Sequence, residues 1–131
     1  MRRTAASLLC LVGLSTGITA CGGQSAVCDD IDSINASVQN LKDAKIGENG
    51  LSVLRTELPK IRSELTQLSA DASAQYSSQI DAIEARARTL RSSIASASGA
   101  PSADAMAKVA DDVRAFGSAV GDLSDAAAGS C

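Results

Sequence analysis

The chain has no histidine and no tryptophan, and Tyr76 and Phe116 are its only aromatic residues. Without imidazole it lacks the side chain that ordinarily titrates near neutral pH, and the Ser-His and Cys-His pairings of nucleophilic catalysis cannot be built. Two rings cannot form a base-stacking platform or an aromatic cage. Positive charge is also short: 12 Lys and Arg against 15 Asp and Glu leave a formal charge of -3. Nucleic-acid binding needs the opposite balance, so no nucleic-acid partner is expected. No stretch alternates apolar and polar residues with period two, so strands are not expected, and no Gly-rich phosphate loop follows one. The acidic groups Asp29-Asp30-Asp32 and Asp111-Asp112 lack the central Gly and closing Glu of a calcium loop. The first group suits the opening turn of a helix, where the macrodipole favours carboxylates. No catalytic, metal-binding or cofactor-binding residue is nominated, and the expectation is a non-enzyme without a cofactor.

What the sequence does contain begins at the amino terminus. Met1-Arg2-Arg3 is a basic start, and Ala5 to Ala20 is uncharged, apolar and small. That is the layout of a secretory signal peptide. The run is about 16 residues, short of the roughly 20 that a spanning helix needs, and Gly13 and Gly17 weaken it further as a permanent span. The alternative, a buried core helix, is disfavoured by Gly22-Gly23 immediately after the run.

Ile18-Thr19-Ala20-Cys21 resembles the lipobox of bacterial lipoproteins: an aliphatic residue, two small ones, then Cys. The resemblance covers only the first 21 residues, with Ile where Leu is commoner and Thr where Ala or Ser is usual. It implies that Cys21 carries a diacylglyceryl group on its sulfur and that the Ala20–Cys21 bond is cut. The new amino group would be open to further acylation. Two or three acyl chains anchor stably where one does not. The resemblance therefore divides the chain into a signal peptide at 1–20, a lipidated tether at 21–26 and a helical domain at 27–131. It places that domain at the extracytoplasmic face of the cell membrane. An ordinary secretory signal with an incidental Cys21 is the alternative. The remainder is similar to small Ala-rich helical lipoproteins of actinobacterial type, a looser likeness that implies no catalytic residues.

Four cysteines are present. On the lipoprotein reading Cys10 leaves with the signal and Cys21 is acylated, so Cys28 and Cys131 remain in an oxidising compartment, where one disulfide accounts for both. A free pair, or an intermolecular bridge through Cys131, are the alternatives. Two thiolates without His or a CxxC partner do not make a zinc site.

From Val27 onward the apolar residues follow a heptad stripe. The first segment holds Val27, Ile31, Ile34, Val38 and Leu41, before Gly47-Glu48-Asn49-Gly50 interrupts. The second holds Leu51, Leu54, Leu58, Ile61, Leu65 and Leu68, carried on by Ala72 and Tyr76. The third holds Ile80, Ile83, Ala87, Leu90, Ile94 and Ala97, ended by Ser98-Gly99-Ala100-Pro101. There Gly suits a helix C-cap and Pro the first turn of the next helix. The fourth holds Met106, Val109, Val113, Phe116, Val120 and Leu123. Ile46 and Val53 fall off the stripe. Such 3-4 spacing is helical and coiled-coil-like, and its regularity argues against disorder. Arg55 and Arg62 flank one side of the second stripe and Glu57 and Glu64 the other, as solvated borders of a narrow seam. Pro59 cannot donate to the Arg55 carbonyl, so a kink is expected there.

The fold class is all-α, and two architectures fit. Residues 69–78 contain neither Gly nor Pro, and the 4-4 spacing Leu68-Ala72-Tyr76-Ile80 resembles a stutter within one stripe. The favoured expectation is antiparallel coiled-coil-like helices with one long central helix, about 70 Å over residues 51–97, flanked by two shorter ones. The alternative is an up-down four-helix bundle. Both bring Cys28 and Cys131 level with residue 69, near Tyr76, so the disulfide does not separate them. Two functions remain: a membrane-anchored interaction module for an envelope protein or the cell wall, and a carrier of a small apolar ligand or lipid. The oligomeric state is open, since heptad seams also pair between chains.

Overall fold

The stripes read above are the buried faces of four helices. The computed structural model describes residues 19–44, 48–72 and 74–131. Its elements are α1 (Thr19–Asp43), α2 (Glu48–Ala72), α3 (Ser77–Gly99) and α4 (Ala103–Ala127). Each helix packs on its neighbour in the chain, and α4 closes the ring onto α1. Short connections between helices of similar length make each consecutive pair antiparallel. The chain is therefore all-α, and its architecture is the up-down four-helix bundle.

The long central helix does not form. α2 ends at Ala72, a turn occupies residues 74–76, and α3 begins at Ser77. Tyr76 holds the N-cap position at φ -118° with no side-chain cap bond. Backbone bonds run across the turn from Gln75 N to the Ala72 carbonyl and from Ser77 N to the Ala74 carbonyl, and Ile80 N donates to the Tyr76 carbonyl as α3 begins. The physical reason is burial. One straight helix would offer each half of its stripe a single partner, whereas folding back packs every stripe against two neighbours. Propensity over ten residues is a weaker term than that apolar area.

The core holds every stripe residue named above except Met106, which is partly buried against it. Phe116, Ile34, Leu41, Leu54, Ile61, Leu68, Ile83, Leu90 and Leu123 are fully enclosed, while Val53 is 41% exposed. Ile46 lies outside the described residues. Ala119, Ala127, Gly117, Ser37 and Ser93 are buried as well. A narrow stripe thus suffices for a four-helix core, because small residues beside it let the helices close.

Several local expectations are corrected. α1 begins at Thr19, so residues 21–26, expected as a flexible tether, are helical. Gly22 and Gly23 weaken a helix by about 1 kcal/mol each relative to Ala but do not forbid one. It follows that Asp29, Asp30 and Asp32 lie well beyond the first turn, and the macrodipole argument for them fails. At the α3–α4 connection Pro101 precedes α4 instead of standing in its first turn, and Ser102 makes the cap: its hydroxyl accepts the Ala105 N–H at 3.1 Å. Gly99 is the last residue of α3, not a residue beyond its end. α2 also starts earlier than expected, with Asn49 and Gly50 in its first turn, and it runs unbroken through Pro59.

Candidate functional site

The bundle brings Cys28 and Cys131 together at one end. The start of α1, the α2–α3 turn and the end of α4 meet there, since antiparallel packing brings alternate helix ends together. After α4 the chain turns once more, with Ser130 N and Cys131 N both donating to the Ala127 carbonyl. This carries Cys131 back over α1. The Cys28 and Cys131 sulfurs stand at disulfide distance, with Cα atoms 5.7 Å apart across a separation of 103 residues. Gln24 reinforces the junction by donating its Nε2 to the Ser130 carbonyl at 2.8 Å. Beside the cysteines lies a crevice of about 320 Å³, lined among others by Val27, Asp71 and Tyr76. Tyr76 is buried, and its hydroxyl accepts from Gln75 Nε2 at 3.1 Å.

Polar side chains stitch three of the four helix seams. Ser33 and Ser37 of α1 both donate to Glu64 Oε1 of α2, at 2.9 and 3.2 Å. Asn35 of α1 and Ser124 of α4 bond each other. Ser93 of α3 donates to Asp112 of α4, which also holds Lys108 at 3.4 Å. The buried serines were missed in the sequence, although both sit beside stripe residues, Val38 and Ile94, where a short side chain is squeezed between helices. Glu64 is therefore no solvated border: it faces α1, and its second carboxylate oxygen is covered. Its counterpart Arg62 looks the other way, into a groove of about 210 Å³ shared with α3.

The acidic groups separate on folding. Asp111 pairs with Arg114 at 3.0 Å while Asp112 turns to Ser93. Asp30 faces Asp71 of α2. Burial, then a hydrogen bond to Asp71, then repulsion from Asp71, Asp29 and Glu64 hold its carboxyl above the ordinary carboxylate value. Among the described residues no group of three or more Cys, Asp or Glu is arranged to hold a metal ion. No described helix is long and apolar enough to cross a membrane.

Residues 1–18, with Arg2, Arg3, Cys10 and Ile18 of the expected signal peptide, lie outside the described residues. The Ala20–Cys21 bond falls at the start of α1, two helical turns before Cys28, so Cys21 and the cysteine junction share one end of the bundle. A third groove, about 300 Å³, lies between α3 and α4 with Ser92, Ser93, Ser96 and Lys108 along it. Of the large aliphatic side chains only Val27 and Leu65 reach any of these three depressions. No protein-family model matches the chain, and neither a curated protein nor a solved structure matches it.

Proposed function

We propose that this chain is a lipoprotein of the extracytoplasmic face of the cell membrane. It is held by acyl chains on Cys21 and serves as a non-catalytic interaction module for another envelope component. The observation that carries the reading is the tetrapeptide Ile18-Thr19-Ala20-Cys21 behind a basic, then apolar, leader. The Cys28 and Cys131 sulfurs at bonding distance support it, because such a bridge persists in an oxidising compartment. The interaction role is supported by what the bundle offers: a fully used core and polar grooves. The carrier reading has less support, since the grooves described are open and lined mainly by polar and small side chains.

Mass analysis of the protein from its own cells tests the anchor. The expected mass is that of a chain beginning at Cys21 with two or three acyl chains. Alkylation is expected to label Cys28 and Cys131 only after reduction. A cytosolic chain at full precursor mass without acyl groups would overturn the proposal. For the partner, crosslinking in intact cells should recover the same envelope component reproducibly, and repeated failure to do so would count against the interaction role.

A further inference from the structure

The charges of this molecule are unevenly shared. α1 and α4 carry nine acids and three cations, whereas α2 and α3 carry six of each. Two acids of α2 face α1: Glu64 accepts from Ser33 and Ser37, and Asp71 faces Asp30. What remains along the α2–α3 groove is Arg62, Arg88 and Arg91 with the single acid Glu84. The groove exists because Ala87 takes a stripe position between Ile83 and Leu90, leaving a dent floored by Leu65 and Ala87 themselves. Among the described residues Arg62 and Arg91 have no carboxylate within 4.0 Å, and the only ion pair at the dent joins Arg88 to Glu84 at 3.8 Å with both side chains largely exposed. Such a pair is weak and readily exchanged.

We propose that this dent binds a phosphate group. Arg62, Arg88 and Arg91 all line it, and with Glu84 they give the rim a charge of +2 in a molecule that is otherwise negative. A phosphate dianion matches that charge, and its tetrahedral oxygens offer each planar fork an acceptor pair. A carboxylate has one charge and two acceptors, enough for one fork only. The Thr66 hydroxyl donates to the Arg62 carbonyl, which leaves its lone pairs free and adds no second donor to the dent. The groove involves neither Cys21 nor the disulfide, so failure of the anchor reading would leave this inference untouched.

Calorimetric titration of the oxidised protein in neutral detergent tests it, with inorganic pyrophosphate as the probe and acetate and sodium chloride at matched ionic strength as controls. Saturable one-site binding of pyrophosphate is expected, with none of acetate. Arg62→Gln and Arg91→Gln should each weaken it about tenfold, the worth of a charge-assisted hydrogen bond. Arg114→Gln, on α4 and paired with Asp111, should leave it unchanged. Arg62 and Arg91 are exposed, so unchanged thermal unfolding of the variants will show that the fold is intact. Glycerophosphoglycerol, a lipid headgroup without its chains, distinguishes the source. Its diester carries one charge and two terminal oxygens, as acetate does, so clear preference for pyrophosphate is expected and assigns a phosphate with a free terminus, while binding as tight as that of pyrophosphate would overturn the dianion match. Pyrophosphate heats indistinguishable from those of acetate, or undiminished binding by both groove variants, would overturn the proposal.

Discussion

Asp30 sits on α1 with one carboxyl oxygen covered and unpartnered while the group is ionised, facing Asp71 on α2 with Asp29 and Glu64 nearby. Two ionised carboxylates only repel, whereas a proton on Asp30 turns the same contact into a donated hydrogen bond. Burial and this contact raise its folded value above the 3.8 of an ordinary aspartate. The folded state therefore binds the proton more tightly than the unfolded chain does. The stability linked to Asp30 is fully present below the unfolded value and is lost as pH rises through the folded one. Asp30→Asn, which keeps a donor toward Asp71 at every pH, should be more stable than the parent at pH 7. Urea midpoints across a pH series should show the gap closing toward pH 4, and a gap independent of pH would refute the assignment. Gly117 makes a second prediction at this scale. A Cβ there would meet Lys42 Cε at 2.7 Å and Val38 Cγ1 at 3.5 Å. The first contact is the mobile end of an exposed side chain, and the second is ordinary packing. Gly-to-Ala replacement inside a helix is favourable by about 1 kcal/mol, so Gly117→Ala should stabilise by about 0.5 kcal/mol once Lys42 has moved aside. Denaturant titration checks it; a net loss would mean that Lys42 cannot yield.

At the scale of the helices, Ser102 and Pro59 act in opposite directions. Ser102→Ala removes the acceptor for the Ala105 N–H and should destabilise the bundle by about 1 kcal/mol. Pro59 lies inside α2, where it withholds a donor from the Arg55 carbonyl. Pro59→Ala should stabilise by about 1–3 kcal/mol, the lower end allowing for the added freedom of the unfolded chain. Urea unfolding of both variants tests the pair; a destabilised Pro59→Ala would show that the proline sets a helix geometry the core needs. These two residues also mark what could be read without a structure. Stripe membership was legible from Val27 to Leu123 because a 3-4 period has one physical meaning, a helix face that must be covered. The α2–α3 turn was not, because it is made by backbone bonds and by the burial of Tyr76, with no Gly, Pro or capping side chain to announce it. The seam polarity was half legible. Arg62 and Glu64 were seen to flank a stripe, but only the choice of a four-helix ring assigns one to α3 and the other to α1. Asp30 and Asp71 were invisible as a pair for the same reason.

The whole molecule depends on one closure that the chain does not make locally. α1–α2, α2–α3 and α3–α4 are joined by short connections, but α1 and α4 meet across nearly the full length of the domain. That seam is packed through Gly117, which lies against Val38 of α1, and tied by Asn35 and Ser124. Cys28 and Cys131 stand where a covalent bond would hold it shut, spanning 103 residues. Loop-closure entropy for a span of about 100 residues corresponds to about 4–5 kcal/mol, an upper figure because the reduced unfolded chain retains some structure. Such an amount rivals the total stability of a domain this size, so reduction is expected to move the urea midpoint far. The double variant Cys28→Ser with Cys131→Ser should match the reduced parent and be insensitive to reductant. Hydrogen exchange should then show where the loss falls. Amides of α1 and α4 lose protection first, while α2 and α3, joined by the turn at residues 74–76, keep theirs longer. A midpoint that ignores reductant in the parent would mean that the bundle closes by packing alone and that the two sulfurs merely lie close.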